Sequence, residues 1–155
     1  MCQINKTFYY FIMIKIKKCK KINNLVISYF NTHLFDITDI NMKNKKLFII
    51  KNNINDIIGS FFIDTKHNIL DTLFIIKQER GKGYCSKILD YIKNNYLNDK
   101  HKFLYVDVAT DNTIALKCYS NNLKYIGILS HELFYDIYKH KLDKKSIIHR
   151  YVLIK

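Results

Sequence analysis

The chain has 155 residues, enough for one domain with one core, since a chain of this size buries roughly two-thirds of its unfolded surface. With 48% hydrophobic and 25% charged residues it is neither disordered nor collagen-like, and no stretch approaches the ~18 unbroken apolar residues of a membrane span. The net charge of +13 invites a nucleic-acid reading, but Arg80 and Arg150 are the only arginines, the lysines cluster only over 15–21, and no nucleic-acid motif accompanies them. The excess of Lys, Asn, Ile and Tyr, beside two alanines and no proline, is the residue usage of an AT-rich genome. Nucleic-acid binding is therefore set aside as the main role, and no membrane partner is expected.

Cys2, Cys19, Cys85 and Cys118 stand far apart, with no CxxC pair and no Cys/His cluster at zinc spacing, so neither a metal site nor a disulfide framework is expected. The apolar run at 8–14 has no basic segment before it and no small-residue cleavage site after it, and is not read as a signal peptide. A reducing cytoplasm, the host's if the source is viral, is the expected location.

In chain order, residues 9–18 end in the apolar/Lys alternation of a strand with one wet face, and residues 23–44 carry signals for one or two short helices. Residues 46–51 and 56–64 read as a hairpin across a Lys/Asn-rich turn, and residues 69–77 as a fourth strand covered on both faces. A helix over 81–98 follows, with Tyr84, Ile88, Leu89, Ile92 and Leu97 near helical spacing; then come a strand at 103–109 and a short helix at 113–119. Residues 125–129, 133–138 and 147–154 supply further strand candidates. The pattern is a mixed α/β sheet, meander strands first and a crossover in the middle, in a single domain over 1–155.

Chemistry concentrates in the turn from Gln78 through Glu79, Arg80, Gly81, Lys82 and Gly83 to Tyr84. A strand running into a glycine-rich turn and then a helix presents unpaired N–H groups and the positive end of a helix dipole to an anion. Gly81 and Gly83 let the main chain approach closely, and Arg80 and Lys82 add side-chain charge. The spacing does not suit a Walker loop, which needs four residues between its glycines and then Lys-Ser/Thr. Nor does it suit a dinucleotide fingerprint, whose third glycine or alanine would fall on Ser86.

The pattern Gln-x-x-Gly-x-Gly, carried by Gln78, Gly81 and Gly83, resembles the GCN5-related N-acetyltransferase (GNAT) family. A second element supports the resemblance: Asn112, Ala115 and Tyr119 match the family's Asn-x-x-Ala-x-x-x-Tyr after the fifth strand. The similarity runs from residue 69 to about 127. It departs after Tyr119, where the link to Leu123 is one residue shorter than in relatives and Asn122 stands where a glycine is usual, a residue able to take the same left-handed conformation.

The resemblance implies a GNAT-like fold: about seven mostly antiparallel strands with a splayed central parallel pair, flanked by about four helices. It implies an acetyl-coenzyme A-dependent N-acetyltransferase that moves an acetyl group to a primary amine of a small molecule or peptide by direct attack, without a metal. Residues 78–84 would cradle the pyrophosphate. Main-chain groups of Leu73, Phe74 and Ile75 would bind the pantetheine arm and polarise the thioester, and Asn112 would bind the arm or nearby backbone. Tyr119 would protonate the departing thiolate. Asp71 is the candidate base, with Asp107 the other carboxylate in reach and Glu132 and His131 weaker ones. The lysine-rich segment 138–146 disfavours a polycationic acceptor, and family members are often dimers, so a homodimer is a possible assembly. Two other readings stay open: a coenzyme A-binding module without turnover, and a basic nucleic-acid-binding protein.

Overall fold

The apolar runs at 47–50 and 58–63 form strands covered on both faces in a computed structural model that describes residues 14–33, 42–139 and 146–155. The run at 69–75, expected to be covered likewise, is buried only at Ile69 and Leu70. The elements are β1 (Lys15–Lys18), α1 (Asn24–His33), β2 (Lys45–Lys51), β3 (Ile57–Asp64), β4 (Ile69–Ile75), α2 (Tyr84–Asn95), β5 (Phe103–Ala109), α3 (Thr113–Asn122), β6 (Lys124–Leu129), α4 (His131–Tyr138) and β7 (Ile148–Ile154). Residues 9–13 of the predicted first strand, 34–41 of the predicted helical region and 140–145 of the lysine-rich segment lie outside the described residues.

The seven strands form one sheet in the order β1-β2-β3-β4-β5-β7-β6, antiparallel except for β4 beside β5. Alternation divides its faces. Phe48, Ile50, Phe61 and Ile63 pack with Ile88, Leu89 and Ile92 of α2, whereas Leu47, Ile49 and Phe62 pack with Val26, Tyr29 and Phe30 of α1. The turn joining β2 to β3 closes on Asn52, whose Oδ1 accepts from the N–H groups of Ile54 (3.1 Å) and Asp56 (2.9 Å), with Asn55 left-handed at φ 68°. Asp64 turns the next corner, accepting from the N–H groups of Lys66 and His67.

One strand prediction is corrected. Residues 133–138 belong to α4, because Ser130 caps the helix by accepting from the Leu133 N–H at 3.2 Å and Glu132 occupies the first turn, where the helix dipole favours a negative charge. Its buried Phe134 packs with Leu129 and Ile148. The seven remaining strand predictions and the helices after β4 and β5 appear where expected, with ends moved by a few residues.

The feature that shapes the site is a bulge in β4. Ser60 lies opposite Phe74 but Phe62 opposite Asp71, so β4 advances three residues while β3 advances two. Thr72 absorbs the extra residue at φ 50°. Beyond the bulge Leu73 and Ile75 pack toward the α2 side and Phe74 toward the α1 side. β4 pairs with β5 only where Ile69 faces Tyr105, so the two strands part in mid-sheet.

Candidate active site

Where β4 and β5 separate, a cleft of about 620 Å³ opens between the end of β4, the start of α2 and one face of α3. Its floor is Leu73, Phe74 and Ile75. At its mouth Gly81 and Gly83 are both left-handed, at φ 76° and 73°, and a Cβ built on either would meet nothing within 4 Å. Gly83 is the N-cap of α2 and no side chain caps that helix, so its first N–H groups face the cleft without a side-chain partner. Left-handed glycines, open space and an uncapped twelve-residue helix together make a place for an anion.

The turn carries one acid, Glu79, against two bases, Arg80 and Lys82, and the acid is paired. Lys82 Nζ donates to Glu79 Oε2 at 2.8 Å, and the Tyr84 hydroxyl donates to the same oxygen at 3.2 Å. The bond from Lys82 holds the Glu79 carboxyl below its ordinary range, and the same pairing raises the Lys82 ammonium. Burial, aided by Glu79, pushes up the Tyr84 hydroxyl. Arg80 folds back, its Nε donating to the Ile75 carbonyl at 2.8 Å and its guanidinium lying over the Phe74 ring at 5.3 Å.

The opposite wall is α3. Asn112 caps it, its Oδ1 accepting from the Ala115 N–H at 3.2 Å, so capping and cleft lining fall on one residue. Tyr119 lies two turns on from Asn112, buried, with its ring 6.3 Å from that of Tyr151. Its hydroxyl has no hydrogen-bond partner among the described residues, and burial pushes it up to about 12. With the short link after it, Tyr119 still lines the cleft. Asn122 is helical rather than left-handed, because its Nδ2 donates to the Cys118 carbonyl at 2.7 Å and Leu123 ends the helix.

The two central carboxylates sit on the other face of the sheet, each two residues past the Ile69–Tyr105 pairing. Asp71 takes Lys45 Nζ at 2.6 Å and the Thr72 hydroxyl at 2.9 Å. Asp107 takes Arg150 through two nitrogens, at 2.7 and 2.6 Å, and the Tyr138 hydroxyl at 2.9 Å. Burial first, then Asp107, drives the Tyr138 hydroxyl above its ordinary range.

Of the residues singled out in the sequence, Leu73, Phe74, Ile75, Glu79, Arg80 and Gly81 line the cleft, as do Gly83, Tyr84, Asn112 and Tyr119. Gln78, in a 3-10 turn at Lys77–Glu79, and Lys82, drawn to Glu79, do not. Lys117, Cys118 and Cys85 also line it and were missed. Cys118 stands three residues after Ala115, the helical spacing that would have pointed to it. The expectation of no disulfide is corrected: Cys85 and Cys118 are bonded, with Cα atoms 6.4 Å apart, because α2 and α3 wall the same cleft. Among the described residues no group of three or more His, Cys, Asp or Glu could hold a metal ion, and no helix is long and apolar enough to cross a membrane.

Gly59 is a further residue with no sequence signal. It faces Ile75, and a Cβ there would come within 2.5 Å of Ile75 Cδ1 and 2.7 Å of the Phe74 carbonyl oxygen. Gly59→Ala must push back the floor of the cleft. The expected cost is about 1–3 kcal/mol of stability, read by denaturant titration, together with weaker ligand binding in the cleft. An unchanged midpoint and unchanged binding would contradict the close approach.

Comparison with known proteins agrees with this geometry. The model of the acetyltransferase (GNAT) family matches residues 18–125. No curated protein matches the sequence significantly. Among solved structures, a GNAT family acetyltransferase from Elizabethkingia anophelis with acetyl-CoA bound superposes with a TM-score of 0.64 at 14% identity, covering 92% of this chain and 98% of that one. Spermidine N-acetyltransferase from Vibrio cholerae, in complex with CoA and spermine, superposes with a TM-score of 0.56 at 16% identity, covering 91% and 95%. A dodecameric structure of the Vibrio cholerae enzyme gives 0.55 at 16% identity, covering 91% and 93%. At these identities the structures share the fold, while the family match spans most of the sequence: the chain belongs to the acetyltransferase (GNAT) family.

Proposed function

We propose that this acetyltransferase binds acetyl-coenzyme A in the cleft between β4, α2 and α3 and transfers the acetyl group to a primary amine by direct attack. One observation carries the reading: the uncapped start of α2, with its two left-handed glycines, opens onto the same cleft as the exposed main chain of β4 beyond the bulge and the unpartnered Tyr119 hydroxyl. The N–H groups at the start of α2 hold the pyrophosphate, and β4 from Leu73 to Ile75 holds the pantetheine arm as an added strand would be held. Acetyl-coenzyme A supplies the activated acetyl thioester.

An amine approaches through the gap between β4 and β5, from the face that carries Asp71. Asp71 takes the proton the amine must lose, directly or through water, while a β4 amide polarises the thioester carbonyl and the Tyr119 hydroxyl protonates the departing sulfur. Lys45 and Thr72 orient the Asp71 carboxylate. Lys45 and Arg150 pair with Asp71 and Asp107, so these two carboxylates already carry their own counter-charges and leave little for a polycation to neutralise. An acceptor with one amine and a neutral or acidic remainder suits it better than spermidine.

The test is a panel of amines, with spermidine, an amino-sugar phosphate and short peptides, followed by mass spectrometry for the acetylated product. Acetylation of a monoamine in preference to spermidine is expected, and efficient turnover of spermidine would overturn the acceptor class. With the accepted amine, Asp71→Asn should lower kcat/KM about a hundredfold near neutral pH. The deficit should shrink as pH rises and the amine deprotonates in solution. A kcat/KM unchanged across that range would remove Asp71 as base.

A further inference from the structure

The bond between Cys85 and Cys118 joins the two walls of the cleft. Cys85 stands in the first turn of α2, two residues past Gly83, and Cys118 stands on α3 immediately before Tyr119. Both are half-buried and line the cleft, so both are reachable from it. The cleft remains open with the bond in place. The N-terminal turn of a helix favours a thiolate, which makes Cys85 the more nucleophilic of the two. Asn122 Nδ2 lies 3.8 Å from Cys118 Sγ and steadies the second sulfur.

We infer that Cys85 and Cys118 are a thiol–disulfide modification site in the wall of the cleft, oxidised by low-molecular-weight disulfides, and that the oxidised form binds acetyl-coenzyme A more tightly than the reduced form. The inference rests on the cofactor reading of the cleft given above. In the first step the Cys85 thiolate attacks one sulfur of a small disulfide RSSR, forming a mixed disulfide and releasing RS⁻, which takes up the proton Cys85 lost. The Cys118 thiolate then attacks Cys85 Sγ and displaces the second RS⁻, which takes the proton from Cys118. Two protein thiols are oxidised to one disulfide, and one RSSR is reduced to two RSH.

The consequence for binding follows from what the bond fixes. It holds the helix start that carries Gly83 against the helix that carries Asn112 and Tyr119, in the arrangement that leaves the cleft open. Without it the cofactor must itself order the two walls and loses affinity in doing so.

The full-length protein is equilibrated with glutathione disulfide or with coenzyme A disulfide, or reduced with dithiothreitol, and the state of Cys85 and Cys118 is read by peptide mapping after alkylation. Acetyl-coenzyme A affinity is then measured by isothermal titration. The bridge should form with either disulfide, and faster formation with coenzyme A disulfide, slowed by saturating desulfo-coenzyme A, would identify the cofactor's own disulfide as the oxidant. Reduction should weaken binding about three- to tenfold. Cys85→Ser and Cys118→Ser should each match the reduced wild type and ignore the redox state. Both cysteines remaining alkylatable after either disulfide, or equal affinity in the two redox states of the wild type, would overturn this inference alone. Absence of binding in both states would overturn the cofactor reading with it.

Discussion

Gly83→Asp is expected to weaken acetyl-coenzyme A binding at least about a hundredfold while leaving the fold intact. Aspartate is one of the few residues that visit the left-handed conformation Gly83 holds at φ 73°, and its Cβ would meet nothing within 4 Å, so the backbone can accept it. The added carboxylate would stand at the mouth of the cleft, beside the start of α2, where a pyrophosphate is to be held. Two unit charges about 4 Å apart at an effective dielectric of about 20 repel by roughly 4 kcal/mol, close to three decades in affinity before salt screening. Gly83→Asn has nearly the same shape without the charge and should lose far less. Isothermal titration of the three proteins, with circular dichroism to verify folding, makes the comparison; equal losses for Asp and Asn would show that shape rather than phosphate charge governs the turn.

Tyr119→Phe is expected to lower kcat by about a hundredfold or more, with acetyl-coenzyme A affinity nearly unchanged. Tyr119 is buried in the cleft wall and its hydroxyl has no partner among the described residues, so removing it leaves no orphaned donor or acceptor behind. A proton donor acting on the leaving sulfur contributes in the transition state and little to ground-state binding, so the loss falls on turnover. Burial raises this hydroxyl to about 12. It is therefore protonated at all pH values below that, and the donor role would be lost only on passing above it. The ratio of wild-type to variant kcat should accordingly stay flat from pH 6 to 9. A parallel fall in affinity would instead assign Tyr119 to packing, and an unchanged kcat would show that another group or water protonates the departing sulfur.

The sequence exposed the parts of the site that depend on residue type. Gly81 and Gly83 hold positive φ, Asn112 caps α3 and Tyr119 falls on the cleft side of the same helix, and each of these leaves a mark at fixed spacing. The sheet was legible for a similar reason, since double-sided burial of β2 and β3 requires unbroken apolar runs. What was hidden depends on three-dimensional placement. The bulge rests on Thr72, a residue type that gives no hint of a left-handed backbone, and the strand separation follows from it. Gly59 looks like any strand glycine until its neighbour across the pair, Ile75, is known. The segment 133–138 is short and largely apolar, where helix and strand periods are hard to separate, and its cap at Ser130 lies outside the run. The pairing of Cys85 with Cys118 becomes visible only once α2 and α3 are set on the same cleft.

The central claim is that the cleft between β4, α2 and α3 holds acetyl-coenzyme A by its pyrophosphate and not by the chain's general positive charge. Isothermal titration of the wild type with acetyl-coenzyme A, at low and at moderate salt, tests it most directly. Micromolar binding that persists at moderate salt and disappears in Gly83→Asp is the predicted result. Binding that is absent, or that falls steeply with salt and ignores the Gly83 substitution, would contradict the account and return the +13 charge to the centre of the question.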